Sequence, residues 1–128
     1  MKRPAAVLLA AVLLAGCGHR YRFPPAIAPP VGFVEEGIAS WYGPGYHGNR
    51  TSNGEIYDQE ALTAAHASFV FGTRVKVTLL STRRSVVLRI NDRFPNHKGR
   101  IIDVSRAAAR TIGLIGPGTG RVRVEVVG

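Results

Sequence analysis

The chain has 128 residues, with 17 Lys and Arg against 8 Asp and Glu, a formal charge of +9 and one cysteine. That length suits a single domain with one core. A lone cysteine rules out an internal disulfide and a thiolate zinc site. The four histidines, His19, His47, His66 and His97, show no metal-ligand spacing, so neither metal nor other cofactor is expected.

Lys2 and Arg3 precede an unbroken apolar run from Ala5 to Leu14. The run is too short for a comfortable membrane span, and it reads as a cleaved secretory leader over residues 1–16. The only cysteine, Cys17, follows in the word Leu14-Ala15-Gly16-Cys17. This word resembles a bacterial lipobox, which implies cleavage before Cys17 and a lipid anchor on its sulfur. Several acyl chains make such anchoring stable. The alternative is an ordinary leader with an incidental cysteine. Gly18 follows Cys17 where enteric inner-membrane lipoproteins carry Asp, which favours the outer membrane.

Losing Lys2 and Arg3 with the leader lowers the formal charge from +9 to +7. A basic domain outside the cytoplasm points to an acidic or polymeric partner such as cell wall. Nucleic acid is excluded as a partner by the leader and by the absence of aromatic–basic interleaving. Residues 17–33 include Pro24, Pro25, Pro29 and Pro30, the composition of an extended, partly stiff tether. Arg20 and Arg22 are either solvated or near anionic head groups. Residues 34–128 form the expected domain.

Strands are predicted at Glu36–Trp41 and Ala61–Ala65. Thr73–Leu79 alternates, with Val75, Val77 and Leu79 on one face and Arg74, Lys76 and Thr78 on the other. Leu80–Arg84 has hairpin length. Val86, Leu88 and Ile90 line one face of the next strand, which ends at Asp92 between Arg89 and Arg93. A scarce carboxylate at the mouth of a buried strand is either a reactive group or an ion-pair partner. A further strand is predicted at Arg100–Asp103. Ser105 is a good N-cap for a helix from Arg106 to Ile112, closed by Gly113. After the turn Gly116–Gly120, Arg121–Val126 alternates again. Six short strands and one helix favour a closed all-β barrel, which leaves no exposed edge.

Six words are more specific: Gly37-Ile-Ala-Ser-Trp-Tyr-Gly43, His47-Gly-Asn-Arg-Thr-Ser-Asn-Gly-Glu55, Leu62-Thr-Ala-Ala-His66, Phe71-Gly-Thr73, Arg89-Ile-Asn-Asp-Arg93 and Gly99-Arg-Ile-Ile-Asp-Val-Ser-Arg-Ala-Ala108. Together they resemble the rare lipoprotein A family of RlpA-like septal ring lytic transglycosylases. The resemblance spans nearly all of residues 33–128. It implies a six-stranded double-psi β-barrel, related to expansin domains, that cuts peptidoglycan glycan strands, with stem-peptide-poor glycan preferred. It places Asp92, His66 and Glu55 in the active-site groove. Many members carry a C-terminal SPOR domain; this chain has none before Gly128, which leaves septal targeting open. The family's Asn-Asp-Arg-Gly-Pro is here Asn91-Asp-Arg-Phe-Pro95. Phe94 replaces a residue able to take torsions that Phe avoids, and it offers a face for a sugar ring. Phe69-Val-Phe-Gly72 replaces the family's Leu-Pro-Phe-Gly.

The implied chemistry joins the 6-hydroxyl of MurNAc to its own anomeric carbon, leaving a 1,6-anhydro end. One carboxyl can protonate the leaving oxygen and then take up the hydroxyl proton, and Asp92 is expected in that role. His66 is expected to hydrogen-bond to Asp92 or to the substrate. Glu55 is expected to position the sugar or to raise the pKa of Asp92 by like-charge proximity. Bland readings remain: an ion pair for Asp92, a core histidine for His66, a solvated turn for Glu55, and a structural role for Asp103 before the helix. Tyr42, Tyr46, His47, Arg93 and Phe94 are candidate substrate contacts. Two rival functions stand beside the lyase. One is a non-catalytic wall-binding or cell-division module of the same fold. The other is a hydrolase pairing Asp92 with Asp103 or Glu55, since hydrolysis ordinarily uses two carboxyls.

Overall fold

The computed structural model describes residues 21–128. The predicted leader and the Cys17 lipidation site lie outside the described residues. The elements are β1 (Val34–Trp41), β2 (Thr63–His66), β3 (Arg74–Leu79), β4 (Ser85–Asp92), β5 (Arg100–Val104), α1 (Arg106–Ile112) and β6 (Thr119–Val126). The strands close into a barrel in the order β1-β5-β2-β4-β3-β6. The β1–β5 and β2–β4 pairings are parallel, and the other four are antiparallel. The expected six-stranded barrel with one short helix is therefore the architecture observed.

Alternation fills the core. Val75, Val77 and Leu79 of β3 point inward with Val86, Leu88 and Ile90 of β4 and Val122, Val124 and Val126 of β6. β2 differs from the expectation by starting at Thr63 rather than Ala61. All four of its residues are buried, because it lies between β4 and β5 and is covered on both faces, so no alternation marks it. β1 begins at Val34, two residues early, because Val34 and Glu35 pair with Glu125 and Val124 of β6. Gly37 is needed where β5 crosses: a Cβ there would sit 2.8 Å from Ile101 Cγ2 and 3.0 Å from the Gly99 carbonyl oxygen.

The helix has the predicted bounds. The Ser105 side chain accepts from the Ala108 amide, and Gly113 closes the last turn with φ 88° and its amide on Ala109 O, the left-handed cap that glycine favours. Ala107, Ala108 and Ala109 are buried, so the small residues let α1 lie close on the barrel. The Thr82 hydroxyl donates to Ile112 O at 2.8 Å, satisfying a terminal carbonyl.

The tether expectation needs correction from Ile27 to Phe33. The Ile27 amide donates to Ser68 O and its carbonyl accepts from Val70 N, both at 2.7 Å. Gly32 N donates to Val126 O at 2.8 Å. From Ile27 onward the segment is therefore tied to the barrel by backbone hydrogen bonds.

Candidate active site

Strand pairing aligns four side chains in one row. Ser40 of β1 lies opposite Asp103 of β5, Asp103 opposite Ala65 of β2, and Ala65 opposite Asp92 of β4. Residues directly opposite one another across paired strands share a face. Two strand spacings separate the backbones of the aspartates, roughly 10 Å, and only the methyl group of Ala65 stands between them.

Asp92 ends β4 and is held by four donors. Its Oδ1 accepts from the Ser52 amide (2.9 Å), the Ser52 hydroxyl (2.7 Å) and the Arg93 amide (2.9 Å). Its Oδ2 accepts from the Tyr42 hydroxyl at 2.6 Å. Tyr42 is buried and stacks on Tyr57 with ring centroids 4.3 Å apart. Burial, followed by the hydrogen bond to Asp92, pushes the Tyr42 phenol far above its usual range, so it remains a donor.

Asp103 stands on a different footing. The Ser40 hydroxyl donates to its Oδ1 at 2.9 Å, and Arg100 Nη2 donates to Ser40 Oγ at 2.6 Å. Burial pushes the Asp103 carboxyl up to about 6. The nearby Asp92 charge adds to the rise, while the Ser40 hydrogen bond and the Arg100 cation oppose it. One carboxylate locked by donors beside one that keeps its proton up to about pH 6 is the usual division of labour between two catalytic acids.

The other expected site residues are distributed differently. His66 follows Ala65 on the same strand, so its side chain takes the opposite face, away from Asp92. Its Nδ1 accepts from the Ser68 and Phe69 amides, both at 3.1 Å, and its Nε2 lies 2.6 Å from Glu35 Oε1. The ring stacks on Phe69 at 3.7 Å. Both ring nitrogens are occupied, so the expected His66–Asp92 hydrogen bond is replaced by a His66–Glu35 pair.

Glu55 also makes no hydrogen bond to Asp92. Arg89 grips it with two bonds, 2.6 and 2.9 Å, and Asn91 Nδ2 adds a third at 2.9 Å. These bonds hold its carboxyl down at about 2. The Glu55 charge is spent on an ion pair with Arg89. The clamp acts on the loop instead. Asn53 Oδ1 accepts from the Thr51 hydroxyl and the Glu55 amide, which fixes the turn that presents Ser52 to Asp92.

Arg93 points away from the row. Its Nη1 donates to His66 O (3.3 Å) and Phe69 O (2.8 Å), and its guanidinium lies 4.1 Å from the Phe71 ring centroid. Only its backbone amide serves Asp92. Tyr42, expected as a sugar contact, spends its hydroxyl on Asp92. Phe94 is a half-buried wall against Tyr42, Tyr57 and Ala65, with Arg100 4.9 Å from its ring centroid. Its φ is not positive; among the described residues only Arg83 and Lys98 are non-glycine with positive φ. Phe94 therefore occupies the glycine position without left-handed strain. Tyr46 is exposed and meets Tyr42 edge-on at 6.0 Å. His47 is exposed, and its Nδ1 accepts from the Gln59 amide at 3.1 Å.

Ser40, Ser52 and Ala65 join the site without having been singled out as site residues. Asp103 left a trace: it is the one acid in an otherwise apolar strand end, Ile101-Ile102-Asp103-Val104.

Residues 34–125 match the family described as lytic transglycolase. A probable endolytic peptidoglycan transglycosylase RlpA of Synechocystis is 58% identical over 94 residues, covering 73% of this chain and 29% of that protein. The endolytic peptidoglycan transglycosylase RlpA of Campylobacter jejuni is 53% identical over 106 residues, covering 83% of this chain and 38% of that protein. The chain thus spans well under half the length of these relatives. Among solved structures, a Streptomyces papain inhibitor superposes with a TM-score of 0.63 at 18% identity, over 77% of this chain and 98% of the inhibitor. The fold is the double-psi β-barrel, and the chain belongs to the lytic transglycolase family.

Proposed function

We propose that the barrel is an endolytic peptidoglycan lytic transglycosylase that cleaves MurNAc–GlcNAc bonds in peptide-poor glycan and leaves 1,6-anhydro-MurNAc ends. The observation that carries this reading is the pairing of Asp92 and Asp103 across Ala65, one held by four donors and the other with its pKa pushed up to about 6. Relatives about half identical in sequence are named endolytic peptidoglycan transglycosylases.

The roles follow from the hydrogen bonds. Asp103, protonated, gives its proton to the glycosidic oxygen as the bond from the MurNAc C1 breaks. The fixed carboxylate of Asp92 stabilises the positive charge that develops on the sugar. The MurNAc 6-hydroxyl then attacks C1, and its proton passes to the Asp103 carboxylate, which restores the acid. No water enters the balance. The acid/base role expected of Asp92 therefore fits Asp103 better, because Asp92 Oδ1 already takes three donors. Exposed Tyr46 is the aromatic surface beside this pair for a sugar ring.

The pH profile tests the assignment. An acid with a pKa of about 6 is protonated below that pH, so kcat/KM should fall as pH rises through about 6. The Arg100 cation holds that value down, so Arg100→Met should move the falling limb to higher pH. A limb that stayed in place, or moved to lower pH, would remove Asp103 from the acid role.

The chain is further proposed to be an envelope lipoprotein anchored through Cys17 and facing the periplasm, in the outer membrane. The word Leu14-Ala15-Gly16-Cys17 supports this. Ile27, where backbone bonding to the barrel begins, lies ten positions after Cys17, a reach of at most ~35 Å. Radiolabelled palmitate should enter the wild type and be absent from Cys17→Ser, which should leave the membrane fraction. Equal labelling of both proteins would refute the anchor.

A further inference from the structure

A cavity of ≈ 230 Å³ lies outside the aspartate row, lined by Trp41, Gly43, Pro44, Gln59 and Arg106. Tyr42, which stacks on Tyr57, lies in the chain between the lining residues Trp41 and Gly43. Tyr42 sets its hydroxyl on Asp92, and Tyr57 accepts from the Arg106 amide at 3.2 Å. Trp41 lies opposite Val104, one position along from the Ser40–Asp103 pairing. The lining residue Trp41 is therefore the neighbour of Ser40 along β1.

Its chemistry is specific. Trp41 is partly buried against the core, so its indole is a fixed apolar wall. Pro44 adds a second apolar surface, and Gln59 supplies an amide side chain able to donate and accept. Arg106 supplies a charge that is loosely held: its contact with Glu60 is 3.5 Å, whereas Arg110 takes the other oxygen of the same carboxylate at 2.7 Å. The volume is below the ~300–1,000 Å³ usual for drug-sized ligands, so it suits one ring. An apolar wall, an amide and a loosely paired guanidinium suit a ring bearing an acetamido group and a carboxylate.

The geometry points to a second saccharide subsite, in which Trp41, Pro44 and Gln59 hold a MurNAc ring and Arg106 pairs with its lactyl carboxylate. This rests on the reading of the glycan as substrate. In a GlcNAc–MurNAc polymer the lactyl carboxylate is the only anion, and it is free only where no stem peptide is attached. A stem peptide converts it to a neutral amide. Arg106 then loses its partner, and the cavity discriminates between stripped and peptide-bearing strands without touching the aspartates.

Trp41 is the only tryptophan, so intrinsic fluorescence reports occupancy of this cavity directly. The probes are the disaccharide GlcNAc–MurNAc with a free lactyl carboxylate and the same disaccharide with that carboxylate converted to its N-methyl amide. Neither contains the MurNAc–GlcNAc bond that the enzyme would cut, so binding is read apart from turnover. The free acid should change Trp41 emission saturably and bind about tenfold tighter than the amide, the size of one hydrogen bond to a charged group. Arg106→Gln, on an exposed side chain, should weaken the free acid about tenfold and abolish the difference. Equal affinity of both probes for the wild type, or an unchanged preference in Arg106→Gln, would overturn the subsite. If the fluorescence behaves as expected while no glycan is cleaved, the subsite stands and the lyase reading fails. If glycan is cleaved but Trp41 emission does not respond to either probe, the subsite fails and the lyase reading stands.

Discussion

Asp103→Asn is expected to lower turnover of peptide-free glycan strands by about 10²–10⁴-fold, the usual contribution of a general acid, while the barrel stays folded. Asn keeps the shape and can still accept from the Ser40 hydroxyl, so Arg100 and Ser40 lose little. What disappears is the proton that burial holds on Asp103 up to about pH 6. Asp92→Asn should also be severe, for a different reason. It removes the charge on which Ser52, Tyr42 and Arg93 converge. The two variants separate by their pH dependence. Any residual activity of Asp92→Asn should keep a falling limb, moved to lower pH because the like charge that raises Asp103 is gone. Residual activity of Asp103→Asn should have no limb near 6. A limb that persists near 6 in Asp103→Asn would assign the acid elsewhere.

His66→Ala is expected to cost roughly 2–5 kcal/mol of stability in equilibrium denaturation. The Ser68 and Phe69 amides lose their acceptor, Glu35 loses its donor, and Phe69 loses the ring stacked on it. Buried groups left without partners carry penalties of about 1–3 kcal/mol each. Turnover should fall as well, since Arg93 anchors on the carbonyls of His66 and Phe69 and continues the chain from Asp92. The pH limb should stay near 6. That combination marks a positioning residue. A histidine that touched Asp92 or the sugar would instead shift or erase the limb at little cost in stability.

These residues also explain what could be read from the chain. The alternating strands β3, β4 and β6 were legible because each has one face in the core and one in water. The helix was legible from Ser105 and Gly113. β2 was blurred because all four of its residues are buried. Asp92 was conspicuous as a scarce acid ending an apolar strand. A pairing with Asp103 was offered only beside one with Glu55; what favours Asp103 is two strand pairings that meet at Ala65 from opposite sides. The register also shifts between Ala64 and Ala65 and between Ile38 and Ala39. Counting along the sequence cannot carry a face assignment through such irregularities. His66 lies one residue beyond Ala65 and so on the other face, where it pairs with Glu35. Glu55 follows the Asn53-Gly54 turn as expected, but its grip on Arg89 and Asn91 needs β4 alongside the loop. Phe94 drew notice as a substitution for glycine, and the fold accommodates it by turning the ring onto Tyr42 and Tyr57.

The most direct measurement is mass spectrometry of the products released by the purified protein from peptide-stripped glycan strands. The Asp103 acid and the internal 6-hydroxyl predict MurNAc ends lighter by one water than hydrolytic ends, with no incorporation of label from ¹⁸O water. Products with ordinary reducing ends carrying ¹⁸O would show that Asp92 and Asp103 work as a hydrolytic pair. An absence of cleavage under conditions where the glycan binds would show a wall-binding barrel instead.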